Sequence, residues 1–132
     1  MHEHRTEIRV RYSETDRMGY VYYGNYAVYF EVARVETLKA LGVSYKELED
    51  SGIMLPVLDY SIKYFKPAYY DDLLTVKTVI PEEPGVRIRF QYETYNHEGF
   101  ILNKAETSLV FVDSTSMRPI KTPELILKKL RS

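Results

Sequence analysis

The segment YSETDRMGYVYYGNY, Tyr12–Tyr26, decides how the rest of the chain is read. It joins a run that alternates like a strand to a run that reads as a helix. Between them it carries tyrosines, two glycines and the acid Asp16, where an ordinary connector would carry small solvated residues. Asp16 therefore has two readings, a turn residue or a catalytic carboxylate.

Upstream, Glu7–Tyr12 alternates, with Ile8, Val10 and Tyr12 on one face and Arg9 and Arg11 on the other, the period-two pattern of a half-buried strand. Downstream, Asn25 stands as an N-cap, Tyr26–Leu41 contains neither proline nor glycine, and Gly42 falls where a C-terminal glycine belongs. Such a helix is about 24 Å long. Its apolar residues go most of the way round, so it is expected to be largely wrapped by other structure. Ser44 and Glu47 form a capping box for a short second helix that Gly52 closes.

From Met54 onward the pattern is strand after strand: Val57–Phe65, Leu73–Ile80, Val86–Asn96 and Phe100–Asp113. Turn material separates them, and the later strands read as an antiparallel meander. Thr122 is placed to cap a last helix, with Pro123 at its first position, Glu124 in the first turn and Lys128, Lys129 and Arg131 in the last. The order predicts a single α+β domain over residues 1–132, one curved antiparallel sheet wrapped around one central helix. The sheet's outer face or edge is left to pair with a second copy.

Lys plus Arg is 18 against 19 for Asp plus Glu, so the charge balance points to neither nucleic acid nor a membrane surface as partner. There is no cysteine, which removes thiol nucleophiles, disulfides and thiolate metal sites together. The N-terminus lacks a signal-peptide pattern and no apolar run approaches membrane-span length, so a cytoplasmic protein is expected. The 13 tyrosines suit half-wet places such as pockets and subunit interfaces.

The run Tyr12-x-x-Thr15-Asp16-x-x-Gly19-x-Val21-Tyr22-Tyr23-x-Asn25-Tyr26, followed by Glu31-x-x-Arg34 and Leu38-x-x-Leu41-Gly42, resembles the hotdog-fold acyl-CoA thioesterases of the 4-hydroxybenzoyl-CoA thioesterase type. Phe65-Lys66-Pro67-Ala68 and Tyr70-Asp71-Asp72-Leu73-Leu74 resemble the family's next recurrent segment, and the similarity runs from about Ile8 to Asp113. The resemblance implies a hotdog sheet around a helix, assembled as a homodimer or homotetramer with active sites between subunits. It implies that Asp16 is the catalytic carboxylate, as nucleophile or as base for water. A backbone N–H of Tyr23 or Gly24 would polarise the thioester carbonyl, and neither a metal nor an organic cofactor takes part. Many relatives carry a histidine where this chain has Tyr23, so an imidazole beside the helix start is not available here.

The residues fit that chemistry. A carboxylate can attack a thioester or take a proton from water, and Asp16 precedes Asn25 by nine residues, enough for the loop to fold back on the helix start. A helix N-terminus offers unpaired N–H groups and a partial positive charge. Gly19 and Gly24 would admit a ligand close to the backbone, and Tyr22 or Tyr26 is expected near the acyl chain. Arg87 and Arg89 share one strand face, as solvated charges or as binders of the coenzyme A phosphates.

Glu31 and Arg34 read as an ion pair along the helix, with Glu31 the reserve catalytic acid. His2 and His4 lie at a terminus expected to fray, with no third ligand in view, and His97 falls in a turn. The expected activity is acyl-CoA thioester hydrolysis. The alternatives are a thioesterase acting on acyl-carrier protein and a non-catalytic module that binds acyl-CoA.

Overall fold

A computed structural model describes residues 1–132. In chain order the elements are β1 (His2–Arg9), a 3-10 turn (Tyr12–Glu14), α1 (Asn25–Ala40), α2 (Tyr45–Asp50), β2 (Ile53–Met54), β3 (Val57–Tyr64), β4 (Leu73–Ile80), β5 (Arg87–Tyr95), β6 (Ile101–Val110), β7 (Val112–Asp113) and α3 (Glu124–Arg131). One five-stranded antiparallel sheet runs in the order β1-β4-β5-β6-β3, and β2 pairs with β7 beside it. This is the α+β hotdog architecture expected.

The inner face of the sheet follows the strand period. Leu74, Val76, Thr78 and Ile80 of β4, and Ile88, Phe90, Tyr92 and Thr94 of β5, are buried, while their alternate neighbours are half-buried or exposed. α1 lies on this face, with the Phe30 and Tyr92 rings stacked at 4.4 Å between centroids. It buries Tyr26, Tyr29, Phe30, Ala33, Arg34, Thr37 and Leu38, the i, i+3, i+4 spacing of a single stripe. On its other side Val28 is 52% and Val32 41% exposed. The helix is thus enclosed on one side only, and its second apolar side marks a face that the chain itself leaves uncovered.

Both ends of α1 have local causes. Gly42 sits at φ +87°, a conformation that favours glycine. Its N–H donates to the Lys39 carbonyl and that of Val43 to the Leu38 carbonyl, closing the helix with the paired bonds of a Schellman motif. At the other end Gly24, not Asn25, is the N-cap, and no side chain caps the helix. Asn25 is drawn into the preceding loop instead, its Nδ2 donating to the Glu14 carbonyl at 2.8 Å. A similar correction applies to α3, where Pro123 holds the N-cap position and the Thr122 hydroxyl donates to the Gly85 carbonyl.

Several strand bounds differ from expectation. β1 begins at His2 and its regular ladder stops at Arg9, where Val10 faces two residues, donating to the Asp72 carbonyl and accepting from the Asp71 N–H, with Asp71 at φ +67°. His2 and His4 are therefore ladder residues opposite Ile80 and Thr78, not a frayed end. β4, β5 and β6 form the expected meander, but β3 crosses to the far edge and pairs with β6. The long last strand is divided at Phe111 into β6 and β7. Glu31 and Arg34 form no ion pair: residue 31 falls on the exposed side of α1, whereas Arg34 is buried and its Nη1 donates to the Tyr92 hydroxyl at 3.2 Å. No helix is long and apolar enough to cross a membrane.

Candidate functional site

The loop between β1 and α1 is pinned to the crossover that follows β3. Val21 N–H donates to the Ala68 carbonyl at 2.9 Å, and Tyr20 forms an isolated antiparallel bridge with Tyr69. Within the loop, Asp16 closes a tight turn. Its Oδ1 accepts from the N–H groups of Met18 at 2.9 Å and Tyr20 at 3.3 Å, and its own N–H donates to the Tyr20 carbonyl. Gly19 supplies the positive φ, +81°, that this turn requires, and the space beside its Cα is open. Asp16 Oδ2 accepts no hydrogen bond from the chain, so the turn uses one carboxylate oxygen and leaves the other free.

That carboxylate lines a cleft of about 330 Å³, together with Tyr23, Tyr26, Tyr64, Phe65 and Lys66. The walls come from three places: the loop, the first turn of α1, and the end of the edge strand β3 with the residues just after it. The N–H groups of Tyr23 and Gly24 donate to no acceptor in the chain, as befits the uncapped start of a helix. The cleft thus joins a carboxylate, aromatic walls and a helix N-terminus. Burial first, and then the neighbouring Tyr64, push the Tyr26 hydroxyl up to about 12, so it stands in the cleft wall as a neutral phenol.

The other expected residues divide. Tyr22 is half-exposed and does not line the cleft; its ring covers Gly24, where a Cβ would lie 2.8 Å from Tyr22 Cε2. Arg87 and Arg89 stand at the opposite end of the sheet, opposite Val110 and Ser108 of β6, whereas the cleft lies where Tyr64 faces Asn103. Arg89 is already held by Glu82, at 2.7 and 3.0 Å, and by Glu106, at 2.6 Å. Within one chain neither arginine reaches Asp16. Glu31, the reserve acid, is exposed and is not part of the cleft.

One residue escaped the sequence reading. Glu14 is 8% exposed, and its Oε1 accepts from the Arg11 N–H at 2.8 Å and the Tyr29 hydroxyl at 2.9 Å. Its Oε2 accepts from the Arg11 guanidinium at 3.1 and 2.9 Å. Its carbonyl takes the Tyr22 N–H and the Asn25 amide, so it binds the Asp16 loop to α1 from both ends. Burial alone would raise its pKa, but the Arg11 N–H, the Tyr29 hydroxyl and the guanidinium together hold it below the usual carboxylate range. The available signal was Arg11-x-x-Glu14, an i, i+3 charge pair two residues before Asp16.

The model of the thioesterase-like superfamily matches residues 10–130 of the chain. YneP of Bacillus subtilis, provisionally named an acyl-CoA thioesterase, is 41% identical over 121 residues, which cover 92% of this chain and 88% of that protein. The acyl-CoA thioester hydrolase YbgC of Escherichia coli is 32% identical over 127 residues, 96% of this chain and 95% of its own. Among solved structures, a DHNA-CoA thioesterase from Staphylococcus aureus superposes with a TM-score of 0.88 at 38% identity, over 92% of this chain and 81% of that one.

Proposed function

The chain belongs to the thioesterase-like superfamily, and on that premise we infer that it hydrolyses acyl-CoA thioesters with Asp16 as the catalytic carboxylate. One observation carries the assignment of the site: the free oxygen of Asp16 shares a cleft with the uncapped start of α1, where two N–H groups have no partner. The thioester carbonyl accepts from the Tyr23 and Gly24 N–H groups, which stabilise the oxyanion as it forms. As nucleophile, Asp16 attacks the carbonyl carbon, the C–S bond breaks, and coenzyme A leaves as a thiolate that takes a proton from water. Water then cleaves the mixed anhydride, giving the free acid and restoring the carboxylate. As general base, Asp16 takes the proton of an attacking water and returns it to the thiolate.

The acid stands in the loop before α1 while Glu31 faces away, which supports the 4-hydroxybenzoyl-CoA thioesterase type within the superfamily. The working unit is a homodimer, or a homotetramer built from it. β3 is an edge strand with free backbone groups, and Val57, Leu58, Tyr60, Tyr64 and Phe65 are all exposed along it. The bare side of α1 exposes Val28 and Val32 as well, and a second copy covering the β3 edge would complete the cleft at Tyr64 and Phe65.

The test is thiol release from a panel of acyl-CoAs by wild type and Asp16→Asn. The chain contains no cysteine, so a thiol reagent sees only liberated coenzyme A. Wild type turns over, and Asp16→Asn loses at least about a thousandfold in kcat while keeping its melting temperature. Equal rates in the two proteins would remove Asp16 from the chemistry.

A further inference from the structure

The Asp16 carboxylate stands at the tip of a small hairpin whose base is Glu14. The Glu14 carbonyl accepts the Tyr22 N–H at 2.8 Å, Thr15 bridges Val21, and the Asp16 N–H donates to the Tyr20 carbonyl at 2.8 Å. Beyond these rungs the Gly19 N–H donates to the Asp16 carbonyl and closes the tip. The place of the acid is therefore inherited from the base. Two sets of bonds fix that base to α1. Glu14 Oε1 accepts the hydroxyl of the buried Tyr29, one turn into the helix, and the Glu14 carbonyl takes the Asn25 amide as well as the Tyr22 N–H. Tyr22 and Asn25 are the residues on either side of the donor pair, Tyr23 and Gly24. Glu14, Asn25 and Tyr29 themselves do not line the cleft.

We propose that Glu14 is a positioning residue for hydrolysis, which holds the acid at the hairpin tip at a fixed separation from the donor pair that its carbonyl brackets. The reaction needs both at once. While the thioester oxygen sits on the Tyr23 and Gly24 N–H groups, the Asp16 oxygen, or the water it activates, has to stand about 3–3.5 Å from the carbonyl carbon. Acid and donors lie on separate elements, the hairpin and the start of α1, so their separation is only as rigid as the link between the two. Glu14 makes this link through both its side chain and its backbone. The side-chain bonds have an ionised acceptor and little access to water, which makes them strong enough to hold a geometry. A misplacement of about 1 Å costs about a hundredfold in rate, so a loosened link shows in kcat before it shows in binding.

The inference rests on the thioesterase reading, and the outcomes keep the two apart. Wild type, Glu14→Ala, Glu14→Gln, Tyr29→Phe and Asn25→Ala are compared for thiol release from the same panel of acyl-CoAs, at a temperature where unfolding curves show each protein fully folded. Tyr29→Phe and Asn25→Ala each lower kcat by about tenfold, and KM stays within about threefold. Glu14→Ala loses more, and Glu14→Gln, which keeps an acceptor for Tyr29, recovers most of that loss. Asn25→Ala leaves the Glu14 carbonyl its bond from Tyr22, so it answers even if Glu14→Ala fails to fold. A residue that only stabilises the chain lowers the melting temperature and leaves the kcat of the folded enzyme where it was. A kcat within about twofold of wild type in either Tyr29→Phe or Asn25→Ala, or a loss carried by KM alone, overturns the positioning role while the hydrolase reading stands. If wild type releases no thiol from any acyl-CoA, the hydrolase reading fails and the positioning role falls with it.

Discussion

Glu14→Ala is expected to destabilise the fold more than most substitutions in a loop. The side chain serves three groups that do not behave alike once it is gone. The Arg11 guanidinium belongs to a side chain 76% exposed, so it returns to water and its share is small. The Tyr29 hydroxyl is on a residue 2% exposed, and the Arg11 N–H lies at a part-buried contact, so both lose an acceptor that water replaces poorly. At about 1–3 kcal/mol for each orphaned group, with the Arg11 N–H at the low end, the loss is about 2–4 kcal/mol. Urea unfolding at neutral pH measures it, and Tyr29→Phe closes a double-mutant cycle. The coupling should exceed about 1 kcal/mol, and additivity within about 0.5 kcal/mol would refute the argument that Glu14 and Tyr29 act as one unit.

The same pair gives a pH signature. Glu14 titrates below its ordinary value in the folded chain, so its contribution is complete above the unfolded value of about 4.3 and is lost as pH falls through the lower folded one. Tyr29 is held above its ordinary value by burial and by the Glu14 bond, so its contribution is present below about 10 and is lost at higher pH. Glu14→Gln keeps an acceptor for Tyr29 without the charge, so its stability should be flatter than that of wild type on the acid side.

Phe30→Ala removes a fully buried ring stacked on Tyr92 and should cost about 3–5 kcal/mol, read from thermal or urea unfolding; a loss under about 1 kcal/mol would mean that the sheet collapses into the gap. Val32→Glu places a charge on the bare side of α1, and sedimentation should show a smaller assembly with reduced turnover, whereas an unchanged mass would move the subunit contact elsewhere. Thiol release by Asp16→Asn should fall by at least about a thousandfold with folding intact.

The division between what was legible early and what was not follows the range of the forces involved. Local chemistry lies in neighbouring residues, so the helix stop at Gly42, the cap at Ser44, the turn at Asn96–Gly99 and the alternation of β4 and β5 were readable along the chain. Asp16 stood out for the same reason, since its turn and its motif are local. Where a side chain chose a distant partner over the nearest one, the local reading failed. Asn25 was taken by the Glu14 carbonyl, Thr122 by Gly85 and Arg34 by Tyr92. In each case a partner distant in sequence displaced the role that the neighbouring residues suggested.

By itself the sequence determined the α+β class, the central helix and the loop that holds the acid, because hydrophobic period, glycine placement and motif spacing are properties of the chain in order. Only the tertiary structure decided that β3 crosses to the free edge, that Glu14 ties the loop to α1, and that Arg34 is buried against Tyr92. Strand order, burial and the balance of buried polar groups depend on which remote residues meet. That is settled by how the whole core closes, and no stretch of neighbours encodes it alone.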